Sequence, residues 1–366
     1  MEVPAASSAS TSLLTEKLQG YAELHNYGLA HLKSSALNCA VELGIPTAIN
    51  SCGGEATAVD IMKKTGLVPA KLSHLRRLMR VLAVSGIFHE STPSSLAVGE
   101  QGETIYRLTP ASRLLARDGK SSDMSALLLL FTRPDTTVST FFNLVGWFRD
   151  AGTKTPFEMA HGMSPWILTK MDASYNDAMN HACVADSDFI MDIALKEASG
   201  LFQGLSSLMD VGGGHGMVAA AISRAFPQVK CTVLDLEQVI SKAPDCGTVQ
   251  FVVGDMFSSI PPADACLLKA VLNSWDDDSC VKILRRYAIP SRDAGCKVII
   301  LNVVLGHGTL DKATKEAQVL LDIYMMRGSG FEREEHEWKK VIMDAGFSDY
   351  SIIPILGPVS IIEALP

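Results

Sequence analysis

The chain has no Cys-x-x-Cys pair, no run of basic residues, no internal repeat and no apolar stretch near the ~20 residues that span a bilayer. Each absence excludes something. Its eight cysteines (Cys39, Cys52, Cys183, Cys231, Cys246, Cys266, Cys280 and Cys296) are scattered, so they do not read as zinc ligands or a disulfide framework. Several sit inside apolar runs, as in Ala265-Cys-Leu-Leu268, and read as reduced core thiols of a cytoplasmic protein with no metal. Basic residues are outnumbered, 32 against 40 acidic, leaving a net charge of −8. That balance argues against binding a polyanion such as nucleic acid, whose affinity rests on neutralising phosphates. No membrane association is expected. Residues 1–12 lack the basic start and apolar run of a targeting segment and read as a frayed end.

What is present is a core-forming composition, 47% hydrophobic and 20% charged, over a length of 366 residues that suggests two domains. The first hundred residues read as helical over 13–43, with Leu29, Leu32, Ala36 and Ala40 at helix spacing. Thr57-Ala-Val-Asp60 is a capping signal for a short helix ending near Gly66. Pro69 opens a second helix whose stripe is Leu72, Leu75, Leu78, Met79 and Leu82. Ile87-Phe-His-Glu and Ile105-Tyr-Arg-Leu108 then predict two short strands around a polar loop. Two helices and a β-hairpin make a winged helix. Arg76, Arg77 and Arg80 are basic, but the chain is acidic and no basic arm adjoins them, so the module reads as one for packing and dimerisation rather than for DNA.

From Ser207 the period changes. Strands are predicted over 208–211, 230–234, 249–253, 263–268 and 297–301, with helices over 218–226 and 279–287 between them. Strands alternating with helices imply an α/β fold with a parallel doubly wound sheet. The end differs, because 349–355 and 359–364 are β-rich runs joined at Leu356-Gly-Pro, an antiparallel hairpin at the sheet edge. Gly212, Gly214 and Gly216 directly follow the first of these strands. There a backbone turn can approach a ligand closely and aim the next helix's amides at an anionic group. Asp235 ends the second strand, placed to accept from two ribose hydroxyls. Asp255 and Met256 end the third, suited to an adenine amino group and ring face. A glycine turn alone also fits NAD enzymes. The Gly-x-Gly-x-Gly spacing, Gly254-Asp-Met256 and the closing hairpin favour another nucleoside cofactor.

Taken together, these features resemble the plant small-molecule O-methyltransferases of the caffeic-acid and isoflavone type. Besides Asp210-Val-Gly-Gly-Gly-His-Gly216 and Gly254-Asp-Met-Phe257, the likeness includes Leu78-Met-Arg-Val-Leu82, Phe157-Glu-Met-Ala-His-Gly162, Tyr175-Asn-Asp-Ala-Met179 and Ile260-Pro-Pro-Ala-Asp264. The resemblance implies a Rossmann-like class I methyltransferase sheet with an antiparallel C-terminal hairpin. It implies an N-terminal helical, winged-helix dimerisation domain (1–115) and a methyltransferase domain (116–366) whose helical part, 116–202, lines an acceptor pocket. It further implies S-adenosylmethionine as donor and S-adenosylhomocysteine as product, a small aromatic acceptor and a homodimer. Carried over by position, Gly212, Gly214, Asp235, Asp255, Met256, Lys269 and Trp275 are cofactor-binding, and Met179, Tyr324 and Met325 substrate-binding.

One motif departs. Where the family has Leu-Lys-Trp-x-x-His-Asp-Trp, this chain has Leu268-Lys-Ala-Val-Leu-Asn-Ser-Trp275. Asn273 therefore stands at the catalytic histidine, and Asn302 at a second family acid. Glu332 alone keeps its identity, although it sits in the charged run Glu332-Arg-Glu-Glu-His-Glu337, ordinarily a solvated helix start. Methyl transfer from a sulfonium needs no general acid, but a phenol of pKa near ~10 needs a base. An amide donates and accepts hydrogen bonds without taking a proton. Three readings follow. The acceptor is an amine that needs only positioning; or it is an oxygen that ionises unaided or uses another base, with His161, His181 and His215 as candidates by proximity; or the chain is a catalytically impaired donor-binding or heterodimer subunit. Met325 and Met326 also read as plain core lining.

Overall fold

The β-branched and leucine-rich runs that alternate with helices become one twisted sheet, and the order of its strands decides where a ligand can sit. The computed structural model describes residues 8–91, 103–117, 123–244, 247–291, 296–308 and 311–365. The polar loop at 92–102, the first seven residues and Cys246 lie outside the described residues. The chain divides into two compact units, Met1–Thr132 and Arg133–Pro366.

In the first unit the helix expected over 13–43 is two, Ser8–Gly28 and Ala30–Glu42, and the break falls at Gly28-Leu29, beside the weakest helix former after proline. Helices Ile45–Ser51, Ala58–Thr65 and Leu72–Val84 follow. The capping box forms, with Asp60 N–H donating to Thr57 Oγ1 and Thr57 N–H donating to Asp60 Oδ2. Strands β1 (Glu55–Thr57), β2 (Phe88–Ser91) and β3 (Ile105–Leu108) form an antiparallel sheet in the order β1-β3-β2. β2 and β3 are the expected hairpin, whereas β1, three residues long, is too short to show a period. Ile45, Ile49, Ile61, Met79, Leu82 and Phe88 are fully enclosed in this unit's core. Leu18, Leu24 and Tyr27 on the first helix are 61%, 73% and 81% exposed.

The second unit carries β4 (Ser207–Val211), β5 (Lys230–Asp235), β6 (Val249–Val253), β7 (Ala265–Lys269), β8 (Lys297–Leu305), the two-residue β9 (Arg333–Glu334), β10 (Asp349–Leu356) and β11 (Val359–Leu365). The strand order is β10-β11-β8-β7-β4-β5-β6, with β9 paired beside β8. β4 to β8 are parallel, and β11 lies antiparallel on β8 with β10 beyond it. The chain winds outward from β4 to β6, then returns to β7 on the other side of β4. The crevice at that reversal, beyond the carboxyl ends of the strands, is where such sheets bind ligands. Apolar layers cover both faces: Trp338, Val341, Ile342, Ile283 and Leu284 on one, Ile190, Ala194, Phe202 and Ile222 on the other. β8 runs four residues past its expected end. Asn302 interrupts the apolar run without ending the strand, because it pairs across with Ser360 of β11.

Candidate active site

The glycine turn is a closed hydrogen-bonded device. Gly212, Gly214 and Gly216 all have positive φ (68°, 59° and 77°), the region that favours glycine. Gly212 N–H donates to Leu234 O at 2.8 Å, and Gly214 N–H to Asp235 Oδ2 at 2.8 Å. Asp235 Oδ1 accepts from Leu236 N–H at 2.7 Å. Each carboxylate oxygen thus spends one acceptor site on the backbone and retains another. A side chain at Gly212 would press on Val271 Cγ2, so the turn is glycine for close packing as well as for φ.

Asp255, exposed just beyond β6, accepts from Phe257 N–H at 2.9 Å. Met256 is partly buried beside it, and Trp275 meets Phe257 edge-on with ring centroids 4.7 Å apart. Lys269 ends β7 and pairs with Asp186 of the helix Ala173–Glu197. The seven expected cofactor residues are therefore spread over the carboxyl ends of β4 to β7 and the segments that follow them.

That ion pair also orients the helix. Met179, Cys183 and Asp186 fall at i, i+4 and i+7, one face, which Asp186 directs toward Lys269. Cys183 is exposed at its position on this face, and desolvation by the surrounding protein pushes its thiol pKa up. Tyr324, on the helix Lys312–Met326, is close enough for Cys183 to influence its hydroxyl, which burial pushes up to about 12. Arg327 stacks on the Tyr324 ring, 4.1 Å from its centroid, and donates to Tyr175 Oη at 3.3 Å. Met325 approaches from the same helix end, where its methyl group lies close to Gly330.

The second cluster begins at Ala270, a non-glycine residue held at φ 53° directly after β7. Its N–H donates to Leu301 O at 3.0 Å, which ties the strained corner to the residue before Asn302. A single turn, Leu272–Ser274, then presents Asn273. Asn273 Nδ2 donates to Glu332 Oε1 at 2.8 Å, joining residues 59 apart in sequence. Burial pushes Glu332 up to about 7; the amides of Asn273 and Asn302 oppose that shift, the Asp322 carboxylate adds to it, and Arg333 opposes it. The Asn302 amide lies beside the same carboxyl and lowers its proton affinity, without completing a hydrogen bond of good geometry. Asn273 Oδ1, Glu332 Oε2, both amide atoms of Asn302 and Ser360 Oγ are all buried without a protein partner. Such a concentration is unusual and marks a place shaped for something else that is polar.

The turn is clamped by Arg333, which is fully buried. Its guanidinium donates to Leu272 O at 3.2 Å and Trp275 O at 2.8 Å, pairs with Asp277 at 2.9 Å and lies over the Phe331 ring. Phe331 N–H donates to Asn273 O at 2.9 Å, and any side chain at Gly330 would run into that carbonyl. Asp186, Asp322, Arg327, Arg333 and Gly330 carried no signal in the sequence. Only the helical spacing from Met179 to Asp186 could have found one of them. Of the three histidines considered as bases, His161 is bonded to Thr140 and Thr136, His181 is exposed, and His215, which burial holds below its usual range, lies within the glycine turn between Gly214 and Gly216. None is bonded to the Asn273–Glu332 pair. Among the described residues, no group of three or more His, Cys, Asp or Glu is placed to hold a metal, and no helix is long and apolar enough to cross a membrane.

A doubly wound sheet closed by an antiparallel hairpin, with a glycine turn and acidic strand ends at its reversal point, defines a class I methyltransferase. Known proteins agree. Residues 141–348 match the O-methyltransferase domain model, and residues 26–118 the O-methyltransferase dimerisation domain. Acetylserotonin O-methyltransferase 3 of Oryza sativa is 50% identical, with 95% of each chain covered. Trans-resveratrol di-O-methyltransferase of Vitis vinifera is 39% identical over 98% of this chain and 99% of its own. The crystal structure of human N-acetylserotonin methyltransferase in complex with SAM matches in fold, with a TM-score of 0.75 at 19% identity over 95% and 97% of the two chains. The chain belongs to the S-adenosylmethionine-dependent O-methyltransferase family.

Proposed function

We propose that this protein methylates a hydroxyl oxygen of a small aromatic plant metabolite, at a site where an asparagine, Asn273, occupies the position of the family's histidine base. The observation that carries this reading is the Asn273–Glu332 hydrogen bond of 2.8 Å, two residues from the Val271 side chain that packs on Gly212. It sets a buried polar cluster directly beside the turn suited to the donor.

The residues present fit S-adenosylmethionine. The cradle at Gly212 and Gly214 admits no side chain without strain, and Asp235 keeps two acceptor sites for ribose hydroxyls. Asp255, Met256 and Trp275 would take the adenine end, and the Lys269–Asp186 pair closes the side toward the acceptor cleft. When bound, the donor supplies an electrophilic methyl on a sulfonium. Met179, Tyr324 and Met325 would line the acceptor, with Cys183 and Arg327 beside them. The dimerisation role falls to residues 1–115, working as a homodimer through the exposed first helix. Catalysis falls to 116–366, with 116–202 contributing to the acceptor pocket.

Hydroxylated aromatics such as N-acetylserotonin and resveratrol are the first acceptors to try, given the relatives' names. A second reading keeps an amine as acceptor, because Asn273 Oδ1 and Glu332 Oε2 are open acceptors that suit two N–H donors. Labelled donor incubated with these two compounds, simple phenols and aromatic amines decides between them. The expected product carries its methyl on oxygen. Transfer to nitrogen alone would establish the amine reading. No transfer, with the donor still bound, would make the chain a non-catalytic subunit.

A further inference from the structure

We propose that Glu332 is itself the general base of this enzyme, with its unpartnered Oε2 receiving the proton of the acceptor hydroxyl. The inference rests on the hydroxyl-methylating reading above and assigns the missing proton acceptor within that same site.

The geometry separates the two carboxyl oxygens. Oε1 is engaged by Asn273 Nδ2 at 2.8 Å, which fixes the plane of the group. Oε2 is buried and has no protein partner, although the residue is only 4% exposed. The backbone is fixed as well, since Glu332 N–H donates to Asp322 Oδ1 at 2.9 Å. Arg333, the adjacent cation, is turned away onto Asp277, Leu272 O and Trp275 O, so it does not neutralise the carboxylate by direct contact. A histidine at 273 would place an imidazole between this carboxyl and the acceptor. An asparagine is shorter and leaves one carboxyl oxygen open. It also cannot take a proton, so the proton has to pass to the carboxyl or to solvent.

The charged and titratable groups around Glu332 are few. Asp322 from the helix Lys312–Met326 raises its proton affinity, and Arg333 lowers it; the amides of Asn273 and Asn302 also lower it, and burial outweighs these. The carboxyl therefore titrates near neutrality, where a base is most useful. In the step, the O–H bond of the acceptor breaks and its proton goes to Oε2. The electron pair stays on oxygen and forms the new O–C bond, while the C–S bond of the donor breaks with its pair returned to sulfur. The acid form of Glu332 then releases its proton to solvent.

Two variants of the full chain test this: Glu332→Gln, which preserves shape and the Asn273 contact, and Glu332→Asp, which restores a shorter acid. Infrared titration of the wild type should show a buried protonated carboxyl that ionises near pH 7 and is missing from Glu332→Gln. With N-acetylserotonin, resveratrol, phenol, 4-cyanophenol and 4-nitrophenol, the wild-type rate should rise through the same pH. Glu332→Gln should lose about 10²–10⁴ in kcat for the least acidic acceptors and progressively less for the more acidic ones, with donor affinity by calorimetry unchanged. Glu332→Asp should recover part of the loss. Wild-type rates in Glu332→Gln, or a loss equal for all acceptors whatever their acidity, would overturn the assignment. A wild type that transfers methyl to none of them would defeat the functional reading and the base together, a result distinct from failure of the base alone.

Discussion

The glycine turn after β4 and the Asn273–Glu332 cluster after β7 sit at neighbouring strand ends, yet they are built in opposite ways. At the turn, the Gly212 and Gly214 N–H groups each find an acceptor at 2.8 Å, the Asp235 carboxylate keeps acceptor sites for the proposed ribose contacts, and a single buried atom, Asp210 Oδ2, has no protein partner. At the cluster, five polar atoms are buried without partners, and a strained Ala270 leads into it. On the proposed reading, the turn is largely bonded before a donor arrives. The cluster keeps polar groups in want of partners, at a cost in stability, and an acceptor hydroxyl can answer that want. On that reading, pre-formed recognition and stored reactivity occupy adjacent strand ends of one sheet.

Breaking the clamp under the cluster should have the largest effect. Arg333→Met leaves Asp277 unpaired and frees two carbonyls of the turn, so unfolding stability should fall by about 3–5 kcal/mol in urea titrations. Folded variant in the cold should still bind donor, because the glycine turn is held by other bonds.

The next effect sharpens the contrast through pH. Glu332 ionises near 7 in the folded chain and near 4.5 when unfolded, so the native state holds an extra proton between those values. Its contribution is fully present below pH 4.5 and is lost as pH rises through 7. Relative to wild type, Glu332→Gln should therefore gain stability between pH 5 and pH 8, by roughly 3 kcal/mol at most. Asp210, also pushed up to about 7 by burial, slopes the same way in both proteins and cancels in the difference.

At the turn, Asp235→Ala removes acceptors for Gly214 N–H and for the proposed ribose contacts. Donor affinity by calorimetry should weaken about 10²-fold, as expected for losing hydrogen bonds to a charged group. Smallest is Asn273→His, which inserts an imidazole next to the Glu332 carboxyl. Methylation of weakly acidic phenols should rise about tenfold, any N-methylation should not improve, and donor affinity should stay the same.

The turn was legible in the sequence because its signals are local: three glycines directly after an apolar strand, and acids at the ends of the next two. The C-terminal hairpin was legible for the same reason, through Gly357-Pro358 between two β-rich runs. The cluster was not, since Asn273 and Glu332 lie 59 residues apart and met only through a family resemblance. Arg333 lies in a charged run that reads as a solvated helix start and Asp186 carries no local signal, and only tertiary packing shows one fully buried and the other paired with Lys269. Asn302 misled the reading of β8, because a polar residue in an apolar run suggests an end, whereas cross-strand pairing with Ser360 carried the strand onward.

The most direct measurement is the rate of hydroxyl methylation from well below to well above pH 7, for the wild type beside Glu332→Gln. A wild-type rate that climbs through pH 7, and a variant rate that is low and flat across the range, is the predicted result. Two superimposable profiles would contradict it, since the proton would then be leaving by a route in which this carboxyl has no part.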